Sequence, residues 1–289
     1  MKKNYDFTFL LVLSGLGASA QSASIRAAEQ EVLKEGLALY ESEQASWVAT
    51  DLLRAQQPDV SQLGGYLSYA DGDSVRTIFV QRNEGAGPLK VLHSFSFSRA
   101  SITPEAGRQS AGRPASAREQ RLFASRQAVM QELQSGKVLG QSYRFPANTR
   151  PNVVLLDQGA GVRAYVLVGP QEAGVLPIGN DFLMSFTSGG KLNKVERLHN
   201  SYIPMQLPEG TTSVQAGMHS HLPAHPYITA TDICSLLLHR NAFPAEQHLV
   251  LGEDYVSSFN LPKQQLVFLT RKAFDKIYKD QQKRHPESK

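Results

Sequence analysis

The sequence feature that most constrains the fold is a histidine pair followed by a proline-containing loop and an apolar segment. One residue separates His219 from His221, and Thr229 and Asp232 follow the loop. If residues 213–221 form a strand, alternation projects both imidazoles from one face, with Cα atoms about 6.6 Å apart. The loop contains two prolines, which disfavour continuation of the β-strand because proline has no backbone N–H to donate. The pattern therefore predicts a strand, a stiff loop and a helix that begins near Asp232.

Two imidazoles and one carboxylate at this spacing are candidate metal ligands. Histidine nitrogens bind zinc at roughly 2.0–2.1 Å, and three protein ligands leave a fourth tetrahedral position for water. That open position is typical of catalytic rather than structural zinc. The sequence therefore predicts a zinc site formed by His219, His221 and Asp232.

The same residues have a purely structural interpretation. Thr229 followed three positions later by Asp232, just before an apolar run, resembles a capping box, with Thr229 as the N-cap. Histidines at strand ends often only form hydrogen bonds. Capping and metal binding are compatible, so both interpretations stay open at this point.

The four residues also carry a family resemblance. The pattern H-x-H, seven residues, Ser or Thr, two residues, Asp resembles the core signature of the JAMM (JAB1/MPN/Mov34) metalloprotease domain, with Thr229 where the family usually has Ser. The resemblance covers roughly residues 152–270. It implies a mixed sheet with a helix after the HxH motif, and zinc-dependent cleavage of a peptide or isopeptide bond. It also implies that Thr229 helps to hold the oxyanion or Asp232.

A JAMM peptidase also needs an upstream glutamate as general base, and the best candidate is Glu172. It lies near Gly174 and Gly179 in an arrangement similar to the family's E-x-x-G-x-x-x-G, although the middle glycine is displaced. An exposed glutamate in a turn is the competing interpretation. Glu196 and Glu209 are alternatives that fit less well.

A second resemblance links the chain to a group of uncharacterised exported proteins of Bacteroidetes, and it implies no activity. It rests on three short segments: Ser46-Trp47-x-x-Thr50-Asp51, Gly179-Asn180-Asp181, and Thr229 through Cys234.

The first twenty residues have the pattern of a secretory signal peptide. Lys2 and Lys3 precede a short apolar run at residues 7–13, and Ala18-Ser19-Ala20 forms an A-x-A site, which predicts cleavage before Gln21. No later stretch of the sequence is apolar enough over the length that a transmembrane helix needs. We therefore expect an exported protein, periplasmic or secreted.

Net charge and cysteine content limit the kinds of molecule that this protein is expected to bind. The formal net charge is only +4, too small an excess to favour nucleic acid. Export and the JAMM resemblance together suggest a peptide or protein substrate in the cell envelope. The single cysteine, Cys234, excludes an intramolecular disulfide, and nothing in the sequence predicts an oligomeric state. The chain could equally keep the JAMM fold as a non-catalytic binding or scaffolding module.

The predicted fold class is α+β, with N-terminal helices and a β-meander before the JAMM/MPN-like mixed sheet. Helical spacing of apolar residues predicts a first helix near Ile25 to Tyr40 and a second from about Ala117 to Gln134. Alternation predicts a hairpin and a third strand before residue 98. The predicted organisation is a signal peptide at 1–20, an α+β region at 21–150 with a mobile loop near 98–118, a JAMM-like domain at 151–270, and a basic helix or tail at 271–289.

Overall fold

The computed structural model describes residues 23–82, 87–137, 140, 142–170 and 172–284, and the predicted signal peptide lies outside these ranges. Within them the chain is α+β, as predicted. Its α-helices are α1 (Ala23–Ala55), α2 (Ala117–Ser135), α3 (Ala230–Leu238) and α4 (Arg271–Arg284). None of the helices in the described ranges combines the length and the hydropathy that crossing a membrane requires.

The strands of the described residues form four sheets. The first eight are β1 (Leu63–Asp71), β2 (Ser74–Gln81), β3 (Lys90–Ser98), β4 (Arg108–Ser110), β5 (Arg113–Pro114), β6 (Thr149–Asp157), β7 (Gly161–Pro170) and β8 (Leu176–Gly179). The others are β9 (Phe182–Thr187), β10 (Leu192–Arg197), β11 (Tyr202–Met205), β12 (Val214–Ser220), β13 (Ala245–Leu251), β14 (Tyr255–Asn260) and β15 (Gln265–Thr270). Strands β8 and β11 form a two-stranded sheet of their own.

The chain folds into two compact units that are not contiguous in sequence. Of the described residues, those up to Gly36, Ala173–Leu176 and those from Pro204 onward form unit 1, and those within Leu37–Glu172 and Pro177–Ile203 form unit 2. Helix α1 therefore contributes its first residues to unit 1 and the rest to unit 2. The predicted boundary near Pro151 falls inside unit 2.

Unit 2 contains two antiparallel sheets. In the first, β1, β2 and β3 form the predicted meander, and Gly72 supplies the positive φ of 62° in the β1–β2 turn. The second has the strand order β10-β9-β7-β6. The segment expected to be a mobile loop near residues 98–118 contains β4 and β5, which both pair with β3.

Helix α2 confirms the helix predicted from residue 117, and its ends have clear local causes. Ser116 and Glu119 form a reciprocal capping box, and Gly136 ends the helix in the left-handed conformation. Arg113 holds both carboxylate oxygens of the buried Glu119, and Tyr69 donates a third hydrogen bond. Burial opposes ionisation of Glu119, but these hydrogen bonds and the N–H of Ser116 outweigh it and lower its pKa to about 2.

A second buried glutamate of unit 2, Glu43, has a raised rather than a lowered pKa. Glu43 on α1 is 2% exposed and accepts a hydrogen bond from Asn152 Nδ2. Asn152 in turn accepts from the Tyr66 hydroxyl at 3.2 Å. Burial raises the pKa of Glu43 to about 7, against the weaker effects of Asn152 and the charge of Arg126. Glu43 is therefore a neutral or partly neutral acid near physiological pH.

Apolar residues from the two sheets, α1 and α2 form two cores in unit 2. The larger core draws on β1, β2, β3, α2 and the second sheet, with Leu67, Ile78, Leu122, Val166, Phe182 and Met184 among its members. The smaller one packs the middle of α1 on the meander, with Ala45, Ala49, Leu53, Phe95 and Phe97. Alternation along the strands and helical spacing along α1 and α2 thus account for both.

Unit 1 is built on a mixed four-stranded sheet of order β12-β13-β14-β15. Strands β12 and β13 are parallel, and the other two pairs are antiparallel. A parallel pair needs a crossover connection, and here the crossover contains α3. The apolar residues of α3 up to Leu237 are buried, and Ile233 is fully so. A Cβ added to Gly36 of α1 would lie 2.6 Å from the Ile233 Cβ, so glycine permits this close approach of α1 and α3.

Candidate metal centre

The histidine pair lies at the end of strand β12, as the sequence predicts. His219 is within the strand and His221 follows directly after it, and the two are 7% and 9% exposed. Their ring centroids are 4.8 Å apart and their Nε2 atoms 2.9 Å apart. The alternation argument is therefore confirmed, since the two imidazoles converge on one point.

Asp232 joins the two histidines from the first turn of α3. Its Oδ1 lies 3.6 Å from His219 Nε2, and its Oδ2 lies 3.4 Å from His221 Nε2. The side chains of all three are almost fully buried. One donor atom from each of the three lies within 4.8 Å of the other two. The predicted ligand set is thus brought together, and this buried group could hold a metal ion.

The hydrogen bonds of His221 fit a metal ligand. Its Nδ1 is 2.7 Å from the carbonyl oxygen of Tyr227 and 3.0 Å from that of His225. Carbonyl oxygens only accept, so Nδ1 carries the proton of the neutral ring and Nε2 keeps its lone pair. That lone pair points into the cluster. A backbone carbonyl on the second nitrogen is a common way of orienting a metal-bound histidine.

Thr229 and Asp232 also form the capping box expected from the structural interpretation. The Thr229 hydroxyl and backbone N–H both donate to Asp232 Oδ2 at 2.8 Å, and the Asp232 N–H donates to Thr229 Oγ1 at 3.2 Å. Capping and metal binding are therefore compatible in this geometry, because the cap holds the carboxylate that faces the two histidines.

The sequence analysis missed a third histidine next to the pair, His248 on strand β13. Its ring is fully buried, and its Nε2 lies 2.8 Å from His219 Nδ1. Burial, followed by the nearby His219, lowers the pKa of His248 to about 3, so the ring is neutral. The parallel register that pairs His248 with Gly217 of β12 leaves no local signal in the sequence.

Two of the three candidate glutamates belong to unit 2, and the third belongs to unit 1. Glu172 belongs to unit 2, where its exposed side chain accepts a hydrogen bond from Asn148 at 3.1 Å. Glu196, on β10 of the same unit, forms an ion pair with Lys194. Glu209 is exposed in a turn of unit 1. A general-base role for Glu172 therefore stays a prediction from the family resemblance.

Unit 2 has a histidine–carboxylate pair of its own, which the sequence did not indicate. His199 Nδ1 lies 2.6 Å from Asp181 Oδ1, and the two side chains are 10% and 4% exposed. Asp181 follows Gly179 and Asn180, which both have positive φ. Asn180 and Asp181 thus connect β8 to β9, and this connection presents a carboxylate to a histidine.

Comparison with known proteins does not identify a family for this chain. No protein-family model, no curated protein and no solved structure matches it. Its function is therefore argued from the buried cluster of unit 1.

Proposed function

We propose that this protein is an exported, zinc-dependent peptidase or isopeptidase of JAMM type, with His219, His221 and Asp232 as the metal ligands. The observation that carries the proposal is the convergence of their donor atoms within 4.8 Å in a buried site. Two imidazole nitrogens and one carboxylate oxygen are the donor set of many catalytic zinc sites. A cation in this position also compensates the burial of the Asp232 carboxylate.

The residues of the chain have distinct parts in this proposal. His221 is held in one orientation by the carbonyls of Tyr227 and His225, with Nε2 free of its proton. Thr229 orients Asp232 through two hydrogen bonds to Oδ2. Zinc in a site with an open position supplies Lewis acidity toward a carbonyl and lowers the pKa of water. The peptide or isopeptide substrate is the class that the JAMM resemblance implies.

Proton transfer is the part of the proposal that rests on sequence. Glu172 is proposed as the group that accepts a proton from the attacking water, by its likeness to the family's upstream glutamate. If so, Glu172→Gln retains zinc binding and removes turnover. Full activity of that variant excludes Glu172 as the base.

One observation favours a second candidate function, a non-catalytic metal-binding or scaffolding module of the cell envelope. The Glu172 carboxylate is exposed and bound to the Asn148 side chain, as expected for a structural surface glutamate. A protein that binds zinc stoichiometrically but hydrolyses no peptide or isopeptide substrate supports this module. Turnover that depends on zinc rejects it.

The cellular setting is also a proposal. Export rests on the signal-peptide pattern of residues 1–20, which lie outside the described residues. The small net charge of +4 agrees with a peptide or protein partner better than with nucleic acid.

The decisive experiment measures zinc in the purified protein by inductively coupled plasma mass spectrometry, followed by competition with a chromophoric chelator. We expect about one zinc per chain in the wild type and none in the His219→Ala/Asp232→Ala variant. The matched control is His93→Gln, which removes a histidine of unit 2 outside the cluster. Absence of zinc from the wild type after incubation and dialysis overturns the proposal.

A further inference from the structure

We propose that His248 is a positioning residue for the metal site, and that His219 and His248 exchange hydrogen-bond roles when a metal binds. The inference rests on the proposed metal site and gives a defined function to a third histidine beside its ligands. His248 does not need to touch the ion, because it acts on His219 through the 2.8 Å contact between His248 Nε2 and His219 Nδ1.

The backbone sets the tautomer of His221. Its Nδ1 donates to carbonyl oxygens of Tyr227 and His225, so the neutral ring has no proton on Nε2. His219 Nε2 lies only 2.9 Å from this bare nitrogen. A contact of that length between two ring nitrogens needs one proton between them.

When all three rings are neutral, that proton belongs to His219 in the metal-free protein. Its Nε2–H donates to His221 Nε2, and the neutral ring then has a lone pair on Nδ1. His248 Nε2 faces that lone pair at 2.8 Å and must therefore be the donor. The hydrogen bonds then run in one direction, from His248 to His219 to His221 to the backbone carbonyls.

A metal reverses the first part of this chain. His219 Nε2 can bind an ion only through its lone pair, so the proton of the neutral ring moves to Nδ1 and donates to His248 Nε2. The proton of His248 then moves to Nδ1. Each ring carries one proton before and after, so both remain neutral. His221 keeps its Nδ1 proton in both states.

The surroundings of His248 suit this exchange. The ring is fully buried, and burial lowers its pKa to about 3, so it stays neutral. Within the described residues, His248 Nδ1 has no hydrogen-bond partner, so the exchange breaks no bond on that side. The metal-bound tautomer leaves the Nδ1–H without an acceptor, a cost that metal binding at His219 has to outweigh. A Cβ at position 217 would lie 2.7 Å from His248 Nδ1, so Gly217 provides the space in which the ring sits.

The first test compares the zinc affinities of His248→Leu, His248→Gln and the wild type. Loss of an outer-shell partner typically costs about 10–100-fold in metal affinity, and we expect a loss of that size for leucine. Glutamine places an amide that can donate or accept near the same point, so we expect most of the affinity to return. A purely packing role for His248 predicts no rescue by glutamine.

The second test reads the tautomers directly from long-range ¹⁵N–¹H correlation spectra of the wild-type imidazoles. We expect Nε2–H for His219 and His248 without metal, and Nδ1–H for both with zinc. His221 should show Nδ1–H throughout. Because these spectra use the wild type, they test the inference even if the leucine variant does not fold.

The outcomes separate this inference from the proposed function. A wild type that binds no zinc overturns the proposed function and, with it, the role of His248. A wild type that binds zinc, with unchanged tautomers or with full affinity in His248→Leu, overturns only the role of His248.

Discussion

Thr229 and Asp232 hydrogen-bond each other in both directions, and the same carboxylate faces the histidine pair. Thr229 donates twice to Asp232 Oδ2, and that oxygen lies 3.4 Å from His221 Nε2. The cap at the start of α3 therefore also orients Asp232, the third candidate ligand. A change to this cap should alter helix stability and metal affinity together.

Asp232→Asn should separate ligation from capping. Asparagine keeps the size of the side chain and one oxygen acceptor, but it removes the negative charge that a cation requires. We expect zinc affinity to fall by more than about 100-fold, beyond the usual cost of losing an outer-shell partner. Far-ultraviolet circular dichroism should remain that of the wild type.

The matched control is Asp254→Asn, which makes the same change at an exposed position of unit 1. Its zinc affinity should equal that of the wild type. Equal affinities for Asp232→Asn and Asp254→Asn would exclude Asp232 as a ligand.

Thr229→Ala should lower the stability of α3 and the zinc affinity together. Loss of an N-cap side chain costs about 1 kcal/mol, and loss of the hydrogen bond to Asp232 Oδ2 should weaken metal binding by roughly 10-fold. Urea unfolding and chelator competition measure the two effects. Thr229→Ser keeps the hydroxyl and should restore both, whereas an alanine variant with wild-type zinc affinity would show that the cap does not position the ligand.

Gly36→Ala should destabilise the protein, although alanine favours helices by about 1 kcal/mol over glycine. The new Cβ would lie 2.6 Å from Ile233 Cβ and 2.8 Å from its Cγ2. Overpacking of this kind typically costs about 1–3 kcal/mol, and Ile233 directly follows Asp232, so zinc affinity should also fall. Thermal unfolding of the metal-free protein tests the first effect. The control Lys34→Ala changes an exposed position on the same helix and should cause neither the loss of stability nor the loss of zinc affinity.

Glu43→Gln should remove a pH-dependent part of the stability. The pKa of Glu43 is about 7 in the folded protein and near 4.5 when unfolded, so the folded state binds the proton more tightly. The resulting stability is fully present below about pH 4.5 and is lost as the pH rises through 7. A difference of this size corresponds to on the order of 3 kcal/mol. Between pH 5 and pH 8 the free energy of unfolding should fall less for Glu43→Gln than for the wild type.

Glu119→Gln provides a contrast of opposite sign. The folded pKa of Glu119 is lowered to about 2, so its contribution is present above about pH 4.5 and is lost as the pH falls toward 2. The glutamine variant should therefore be less stable than the wild type at pH 7, where Arg113 loses its carboxylate partner. Equal pH profiles for the two glutamine variants would contradict both electrostatic assignments.

The helices and strands that depend on a local residue pattern could be predicted from the sequence. Helical spacing predicts α1 and α2, alternation predicts the β1–β2 hairpin and β3, and the spacing of His219 and His221 predicts their shared face. The short strands β4 and β5 were not foreseen, because their pairing with β3 depends on a partner and their own residues are rich in turn formers. The signal peptide and the Glu172 role stay predictions.

The sequence by itself determined which side chains are available as ligands and how each one leaves the backbone, because alternation in β12 and the cap of α3 act over a few residues. Only the tertiary structure decided what surrounds them. The parallel register of β12 and β13 brings His248 against His219, and the loop after the histidine pair turns the Tyr227 and His225 carbonyls toward His221. These contacts depend on strand pairing and loop closure across the chain, and a pattern of neighbouring residues does not encode them.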